Sequence, residues 1–586
     1  MLYGPCRRAD SRLSCLTIIT SLSRTPCRTP SEFPAMASSP TTEIASPELK
    51  QRRLDEVAQA ASVDTSRAMA LALKAREDGA VDALVHHLVG LHHKDAGRLD
   101  EAVAELGLGL ALEPENPRIM ITVGFCLLEA GRRREAAQVF GVAVKLDPNS
   151  ADASCGYGWA AESLGALDSA ESGFNRALAL NPRHADALAG LSGLAARRRE
   201  WDAARRYAEQ AAALDPNQTD ALMNLARIEI GVSDFVAAEK LLREIIDRPA
   251  LKPIARANAR IMLGDALDGS KRYREAFDAY AQGKSELREY HAGTFGRPDS
   301  GSALDAVSEI LTEFQESPAE GWSKAPPSAA RPVYRGHAFL MGFPRSGTTL
   351  LEQVLATHPD VVTLAERPIL LDAEAEFLTR DGGVKQLSAI PSEALEPFRK
   401  AYWRRAAEYG IDPTGKVFID KHPLNTIRLP LINKVFPDGK IIFALRDPRD
   451  VVLSCFRRSF NMNASMYQFD TLENTARYYA KVMNAAAIYF DKLPLDVFRL
   501  RYEDLVTDFE ATAGALCDFL GVDRTDALKD FADTARSRRI ATPSSAQVGR
   551  GLYDEGMNQW PRYAFALKPA LPILAPWVER FGYEPS

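Results

Sequence analysis

GFPRSGTT, residues 342–349, lies between two segments of different character. The apolar run Ala338–Met341 before it predicts a buried strand, and Leu350–Leu355 after it has the apolar spacing of a helix. A strand, a glycine-bearing turn and a helix start direct consecutive backbone N–H groups towards one point, to which the positive end of the helix also points. The stretch therefore predicts a site for phosphate or sulfate.

The glycine spacing is that of a nucleoside-triphosphatase loop, but Thr348 stands where such a loop has its lysine. Arg345, inside the turn, supplies a cation whose planar donors suit phosphate or sulfonate oxygens. For this segment alone, a chance glycine turn between a strand and a helix is the alternative.

The composition excludes several classes of protein. A chain of 586 residues predicts two or more domains. With 72 Lys and Arg against 78 Asp and Glu, the net charge of -6 gives no general case for binding nucleic acid or an anionic membrane. No apolar run is long enough to span a membrane. The seven cysteines form no C-x-x-C pair, so we expect free thiols in a reducing, cytoplasmic compartment and no metal site.

Residues 1–46 are rich in Ser, Pro, Arg and Cys and have no apolar periodicity. This composition predicts a disordered segment. A targeting peptide, of the secretory or the transit type, and a true start of synthesis at Met36 are the alternatives.

A repeat follows. Four prolines at intervals of 34 residues each follow a leucine and an acidic or amide residue: Pro114, Pro148, Pro182 and Pro216. Small residues recur in the same frame, at Gly90, Gly124, Gly158, Ser192 and Ala226. Small residues let two helices approach closely, and proline ends the second helix of each pair.

This pattern resembles the tetratricopeptide repeat, a helix–turn–helix unit that stacks into a solenoid. The predicted repeats begin near Asp82, Asn116, Ser150, His184 and Gln218. A sixth, displaced repeat contains Tyr273–Ala276, and Glu48–Glu77 is a candidate cap, so the solenoid is expected over 47–291. Its concave face is expected to hold a peptide or a partner protein; a homodimer scaffold is the alternative.

Residues 292–333 contain a helical pattern, Ala303–Phe314, and then a proline-rich stretch, so they are predicted to be a linker before a domain at 334–586. In that domain, short apolar runs are followed by residues of functional interest. Glu366 follows the run 361–364, Lys421 follows 416–420, Arg446 follows 440–445 and Tyr502 follows 497–500. In a parallel α/β sheet these strand ends form the edge where ligands bind.

Together these motifs make residues 334–586 resemble a sulfotransferase that uses 3′-phosphoadenosine-5′-phosphosulfate (PAPS), closest to the tyrosylprotein sulfotransferase branch. The resemblance implies a P-loop-like α/β fold with a parallel sheet. The donor-binding residues that it implies are Arg345, Ser346, Gly347, Thr348, Thr349, Arg446, Ser454, Arg458 and Tyr502. The catalytic residues that it implies are Arg345, Glu366, Lys421 and Ser544, with Glu366 as the base.

The sequence also departs from that family. Gln559, before Trp560, stands where a late lysine is expected, and Arg550 or Arg562 is a candidate replacement. The membrane anchor and luminal cysteine pairs of the animal enzymes are missing.

The chemistry agrees with the implied roles. Sulfuryl transfer moves a group of low charge between two oxygens, so positioned cations can suffice without the metal that phosphoryl transfer uses. A base at Glu366 would contribute about 10²–10⁴-fold to the rate. Each residue also has a structural alternative: Glu366 paired with Arg367, Lys421 beside a turn, and Arg446 paired with Asp447 or Asp450. His422 and His358 are rival bases.

We therefore expect a PAPS-dependent sulfotransferase whose solenoid recruits the acceptor. An acidic peptide with a tyrosine is the favoured acceptor, and a glycan or lipid hydroxyl is the alternative. A repeat scaffold with an inactive enzyme-like domain is a second hypothesis, and a P-loop nucleotidase or kinase is a third.

Overall fold

The structure is a computed structural model that describes residues 46–249, 251–296, 301–323, 334–531 and 556–585. Contacts divide these residues into two compact units. The first comprises the described residues up to Ala196 together with Glu200–Asn224, and the second comprises Arg197–Arg199 and the described residues from Leu225 onward. The boundaries predicted from the sequence stay predictions.

The first unit consists of paired helices. Its helices are α1 (Pro47–Ala61), α2 (Thr65–Glu77), α3 (Ala83–Asp95), α4 (Leu99–Leu112), α5 (Pro117–Glu129), α6 (Arg133–Leu146), α7 (Ala151–Ser163), α8 (Leu167–Leu180), α9 (Ala185–Arg197) and α10 (Trp201–Leu214). Helix α9 ends at Arg197, which belongs to the second unit, and helix α11 (Thr219–Gly231) also contributes residues to both units.

The predicted repeat starts are the N-caps of helices. The side chains of Asp82, Asn116 and Ser150 accept hydrogen bonds from the first backbone N–H groups of α3, α5 and α7. Those of His184 and Gln218 do the same for α9 and α11. Since the first N–H groups of a helix lack partners within it, these caps fix where each pair begins.

The small residues at the repeated positions permit close helix packing. A Cβ added at Gly124 would lie 2.6 Å from the Phe140 ring, and one added at Gly158 would lie 2.7 Å from the Phe174 ring. Any side chain there would displace a buried aromatic ring, as the sequence predicted.

The second unit begins with further helices: α12 (Phe235–Ile246), α13 (Pro253–Gly269), α14 (Tyr273–Phe295) and α15 (Ala303–Glu316). Helices α13 and α14 form the predicted sixth pair, with 17 and 23 residues respectively. The helix predicted at 303–314 is present as α15.

A five-stranded parallel sheet follows, with the strand order β2-β3-β1-β4-β5. Its strands are β1 (Gly336–Gly342), β2 (Val361–Ala365), β3 (Val417–Lys421), β4 (Lys440–Leu445) and β5 (Asp496–Arg501). Each lies on an apolar run identified in the sequence, and the parallel α/β architecture is confirmed. The sequence order reverses on either side of β1, which makes the carboxyl end of β1 the crevice of the sheet.

Helices connect these strands and complete the second unit. They are α16 (Thr348–Leu355), α17 (Leu371–Phe377), α18 (Gly383–Ala389), α19 (Glu396–Glu408), α20 (Leu429–Val435), α21 (Pro448–Phe456), α22 (Leu472–Lys492), α23 (Tyr502–Thr507), α24 (Phe509–Leu520), α25 (Ala564–Leu567) and α26 (Leu571–Arg580).

Short 3₁₀ helices lie between these elements, at Ala319–Trp322, Ser392–Leu395, Pro423–Arg428, Met466–Phe469, Asp526–Asp530 and Trp560–Tyr563.

Helix α21 differs from the prediction of 451–460. It begins at Pro448, because the Asp447 side chain caps it and proline suits the first helical position, and it ends at Phe456.

Alternate residues of β1 face different layers. Leu340 belongs to the apolar cluster that includes residues of α16 and α24, whereas His337 and Phe339 contact the aromatic rings of Tyr402 and Phe436. A sheet covered on both faces needs apolar residues on both faces of its strands, which explains the continuous apolar runs. Among the described residues, no helix combines the length and apolarity that crossing a membrane requires.

Candidate active site

The loop after β1 has the geometry expected of an anion site. Arg345 has a φ of 73° and Gly347 a φ of 92°, and α16 begins immediately after Gly347. Left-handed backbone at a residue other than glycine costs about 1–3 kcal/mol and persists where its surroundings hold it. Ser346, Thr348 and the glycine between them therefore present the start of α16 at the carboxyl end of β1.

Three contacts hold this loop. The Phe343 ring is fully buried against aromatic rings that include Tyr479, 5.0 Å between centroids. The Thr426 hydroxyl donates to the Gly342 carbonyl at 2.7 Å, and the Cys455 thiol donates to the Pro344 carbonyl at 3.3 Å. The loop is thus held by the packing of the Phe343 ring and by hydrogen bonds to the carbonyls of Gly342 and Pro344.

The predicted donor residues from β1, β4 and α21 lie together. The Arg345 Nε donates to the Ser454 hydroxyl at 2.9 Å, and an Arg446 guanidinium nitrogen donates to the Arg345 carbonyl at 3.1 Å. Arg446 is only 8% exposed, and its other terminal nitrogen donates to the Gly556 carbonyl. Residues 101 and 109 positions apart in the sequence are therefore one cluster.

Tyr502 closes this cluster on the β5 side. A Cβ at Gly347 would lie 2.6 Å from the Tyr502 ring, and the Arg446 guanidinium carbon lies 5.1 Å from the centroid of the same ring. Gly347 is needed for two reasons, its positive φ and this close approach. The phosphate-loop glycine and the β4 arginine thus meet at one tyrosine.

Glu366 and Lys421 form a second group at the ends of β2 and β3. The Lys421 ammonium donates to the Glu366 carboxylate at 2.6 Å, and the Glu366 N–H donates to the Lys421 carbonyl at 2.7 Å. The Lys421 side chain is fully buried, whereas the Glu366 side chain is 38% exposed. The backbone of Glu366 is left-handed, with a φ of 52°. The burial of Lys421 contradicts the alternative in which it is a surface lysine beside a turn.

The charges around Glu366 set its protonation. Burial raises the pKa of its carboxyl, while the charge and the hydrogen bond of Lys421 lower that pKa, and Arg345 lowers it further. The net shift is downward, so Glu366 is ionised at neutral pH.

The two histidines named as rival bases, His422 and His358, have ring nitrogens in contact with other groups of the protein. Burial and the charge of Arg428 lower the pKa of His422 to about 3, so this imidazole is neutral at physiological pH. Arg428 lies 3.4 Å from the His422 Nδ1 and is itself paired with Glu374 at 2.8 Å. Both ring nitrogens of His358 contact backbone groups, those of Asp360 and Asp523.

The segment around Gln559 is held by α21. The Asp450 carboxylate accepts from the backbone N–H groups of Gln559 and Trp560 at 2.9 and 2.8 Å. Arg446 lies 4.0 Å from the same carboxylate, at the outer limit of an ion pair. Arg562 lies against the Tyr273 ring, 5.9 Å from its centroid.

Arg458, a predicted site residue, stands apart from the cluster. Arg458 donates to the Asp265 carboxylate of α13 at 3.0 Å, so its guanidinium is engaged by the sixth helix pair. Ser544, like Arg550, lies outside the described residues.

Sequence reasoning missed the contacts that come from α13. Asp265 and Asp268, three positions apart on one helix face, bind Arg458 and Arg457. The only signal in the sequence was the pair of acids in a mostly apolar repeat helix. Among the described residues, no group of three or more His, Cys, Asp or Glu side chains could hold a metal ion.

Comparisons with known proteins agree with this arrangement. Residues 338–526 match the model of the sulfotransferase family, and residues 94–154 and 127–193 match that of the tetratricopeptide repeat. The chain is 26% identical over 364 residues to an uncharacterised protein of Aquifex aeolicus, a match that covers 59% of this chain and 45% of that protein. The chain thus spans less than half the length of that relative.

Protein-tyrosine sulfotransferase 1 of Danio rerio is 27% identical over 266 residues, which cover 42% of this chain and 72% of that enzyme. A solved sulfotransferase domain from the Synechococcus PCC 7002 olefin synthase is 23% identical, with a TM-score of 0.31, and the match covers 45% of this chain and 98% of that domain. The two family-model matches show that the chain carries tetratricopeptide repeats in its N-terminal part and a domain of the sulfotransferase family in its C-terminal part.

Proposed function

We propose that this sulfotransferase takes its sulfuryl group from PAPS and delivers it to a protein tyrosine. The observation that carries the donor assignment is the hydrogen bond from Arg446 to the Arg345 carbonyl, 3.1 Å long. It joins the loop suited to a 5′-phosphosulfate and the arginine suited to a 3′-phosphate. One nucleotide with phosphates at both positions can contact both groups.

The residues fit such a donor. Arg446 is buried, and its Nε has no hydrogen-bond partner among the described residues. A buried guanidinium nitrogen without a partner is costly unless a ligand satisfies it. Arg345 links Ser454 to Arg446, because its Nε donates to the Ser454 hydroxyl and its carbonyl accepts from Arg446. Tyr502 supplies an aromatic face to the Arg446 guanidinium. Arg446, Ser454 and Tyr502 would hold the far phosphate and its nucleoside, while Arg345 and Ser346–Thr349 would hold the sulfonate end.

PAPS, when bound, supplies an activated sulfuryl group. In the proposed mechanism, Arg345 and Lys421 stabilise the negative charge that grows on the leaving phosphate oxygen. Glu366 accepts the proton of the acceptor hydroxyl. Its partial exposure leaves a route for an acceptor from solvent, and its ionised state makes it competent as a base.

The tyrosine acceptor is supported by the names of the relatives, which include protein-tyrosine sulfotransferases of Danio rerio and Caenorhabditis briggsae at 27% and 23% identity. Those matches cover 42% of this chain. The helix pairs of the first unit would recruit the acceptor or another protein partner.

The test is a transfer assay with radiolabelled PAPS and three acceptor panels: acidic peptides with tyrosine, glycans, and lipids with a free hydroxyl. We expect label on the tyrosine peptides, lost when phenylalanine replaces tyrosine. Label on glycan or lipid alone would reject the tyrosine assignment. A chain that binds the donor but labels no panel, with Glu366→Gln indistinguishable from the unaltered chain, would reject tyrosine sulfation and favour the inactive scaffold.

A further inference from the structure

Helix α13 of the sixth pair reaches the C-terminal end of α21. Asp268 accepts from the Arg457 guanidinium at 2.7 Å and from the Tyr563 hydroxyl at 2.5 Å. Arg457 is the C-terminal cap residue of α21 and is only 7% exposed. Its ring neighbours are Tyr280 and Tyr563, with the guanidinium carbon 5.4 and 5.3 Å from their centroids. A buried arginine in this setting needs the Asp268 carboxylate.

Arg457 then contacts the segment that carries Gln559. Its other terminal nitrogen donates to the Gln559 side-chain oxygen at 3.1 Å. The Gln559 backbone N–H donates to Asp450 at 2.9 Å, and Asp450 is 1% exposed and lies 4.0 Å from Arg446. Hydrogen bonds join Asp268 to Arg457, Arg457 to the Gln559 side chain and the Gln559 backbone to Asp450, and an ion pair at 4.0 Å joins Asp450 to Arg446; we call this set of contacts the Arg457 network.

From this geometry we infer that the Arg457 network positions Arg446 for the 3′-phosphate of the donor, so that Asp268, Arg457 and Gln559 are positioning residues. The inference rests on the proposed function, because it assumes that Arg446 binds the donor. It makes the sixth helix pair a part of the donor site in addition to any role in recruiting partners.

A second set of contacts supports the same conclusion. The Lys284 ammonium of α14 donates to the Arg458 carbonyl at 2.7 Å, just beyond the C-terminal end of α21. Burial lowers the pKa of Lys284 to about 7, and its amine can donate this hydrogen bond in either protonation state. The Ser459 hydroxyl donates to Asn258 of α13 at 2.8 Å. The residues that follow Ser454 are thus held by both helices of the pair.

In the Arg457 network, the Gln559 side chain holds Arg457 in place. This role differs from that of a neutral residue that merely lies near a phosphate site. If Gln559 were only a neutral residue near a phosphate site, replacing it with lysine would strengthen anion binding. In the network its side-chain oxygen accepts from Arg457, so a lysine ammonium there would face the Arg457 guanidinium with like charge. The two accounts predict opposite signs for Gln559→Lys.

The test measures the Kd of adenosine 3′,5′-bisphosphate by calorimetry, without Mg²⁺, on the full chain and on Asp268→Asn, Gln559→Ala and Gln559→Lys. We expect each variant to weaken binding about tenfold. The double variant Asp268→Asn with Gln559→Ala should be no weaker than Gln559→Ala alone, because Asp268 acts through Gln559. Asp278→Asn, which removes the same charge from an exposed position of α14, should leave the Kd unchanged.

Tighter binding by Gln559→Lys, or fully additive losses in the double variant, would overturn the inference. So would an unchanged Kd in Asp268→Asn. Should Asp268→Asn fail to fold, the Gln559 variants still decide the question, since neither alters the repeat helix. Failure of the unaltered chain to bind the bisphosphate would instead overturn the proposed function and, with it, this inference.

Discussion

The two halves of the candidate site are built differently. In the donor half, Arg345, Arg446 and Ser454 are tied to one another and to backbone carbonyls, and Arg446 is almost fully buried. In the other half, Glu366 and Lys421 bind each other across the ends of two neighbouring strands, and the Glu366 side chain is 38% exposed. The donor half has a fixed arrangement, and the second half has a group that solvent can reach.

This difference matches the two tasks of a group transfer. A donor with two phosphates is recognised best by cations whose positions do not change on binding. An acceptor proton has to be taken up by a group that is accessible and that can change its charge. Both halves contain a residue with left-handed backbone, Arg345 and Glu366, so the chain accepts local strain at each.

The largest expected effect is in the second half. Glu366→Gln removes the base but keeps the size of the side chain, so we expect kcat to fall about 10²–10⁴-fold with the donor Kd unchanged. Single-turnover assays with the acceptor found in the transfer screen measure the rate. Glu408→Gln, on an exposed face of α19, is the control and should keep full activity. Equal rates for Glu366→Gln and the unaltered chain would remove Glu366 from the mechanism.

Lys421→Met should lower kcat about 10²–10³-fold, because it removes a cation from the leaving oxygen while filling the same buried space. The matched control is Lys416→Met, an exposed lysine just before the other end of β3, for which we expect no change. A normal kcat in Lys421→Met, with the protein folded, would show that Lys421 serves only to pair with Glu366.

Gly347→Ala tests the donor half. The added Cβ would lie 2.6 Å from the Tyr502 ring, and the alanine would have to keep a φ of 92°. We therefore expect a loss of about 1–3 kcal/mol in the free energy of unfolding, together with weaker donor binding. Gly382→Ala is the control, because its φ of 72° is similar but no atom of the residues that the structure describes lies within 4 Å of the added Cβ. Denaturant unfolding and calorimetry measure the two effects. Equal losses in both variants, with donor affinity intact, would contradict a role for the Tyr502 contact.

The smallest effect concerns pH. Since Lys421 lowers the pKa of Glu366, the acid limb of the pH–rate profile should lie below the ordinary pKa of a glutamate. The stabilisation from this ion pair is present above the unfolded-state pKa of Glu366 and is lost as the pH falls through its folded-state pKa. In Lys421→Met the acid limb should move to higher pH. An acid limb that is identical in both proteins would show that Lys421 does not set the pKa of Glu366.

The parts of the fold set by local sequence could be predicted. Strands β1 and β4 are apolar runs, and the helix N-caps at Asp82, Asn116 and Ser150 are residues whose short polar side chains cap helices. The loop at 342–349 was visible because its glycine spacing lies between an apolar run and a helical pattern, an arrangement that directs N–H groups at the start of a helix towards an anion.

The contacts that join distant segments could not be predicted. Arg458 was expected beside a phosphate, but Asp265, nearly two hundred positions away, binds it. Gln559 was identified only as a departure from a family pattern, because its contact with Arg457 depends on tertiary packing. No local pattern encodes which acid of a repeat helix meets which arginine of another domain.

The most direct test of the account compares two ligands on two variants. Calorimetry without Mg²⁺ would measure the Kd of adenosine 3′,5′-bisphosphate and of adenosine 5′-monophosphate for the unaltered chain, Arg345→Ala and Arg446→Ala. We predict that Arg446→Ala weakens only the bisphosphate, about tenfold or more, and that Arg345→Ala weakens both ligands. If Arg446→Ala leaves the bisphosphate Kd unchanged, or weakens the binding of both ligands equally, the claim that one nucleotide contacts both arginines is contradicted.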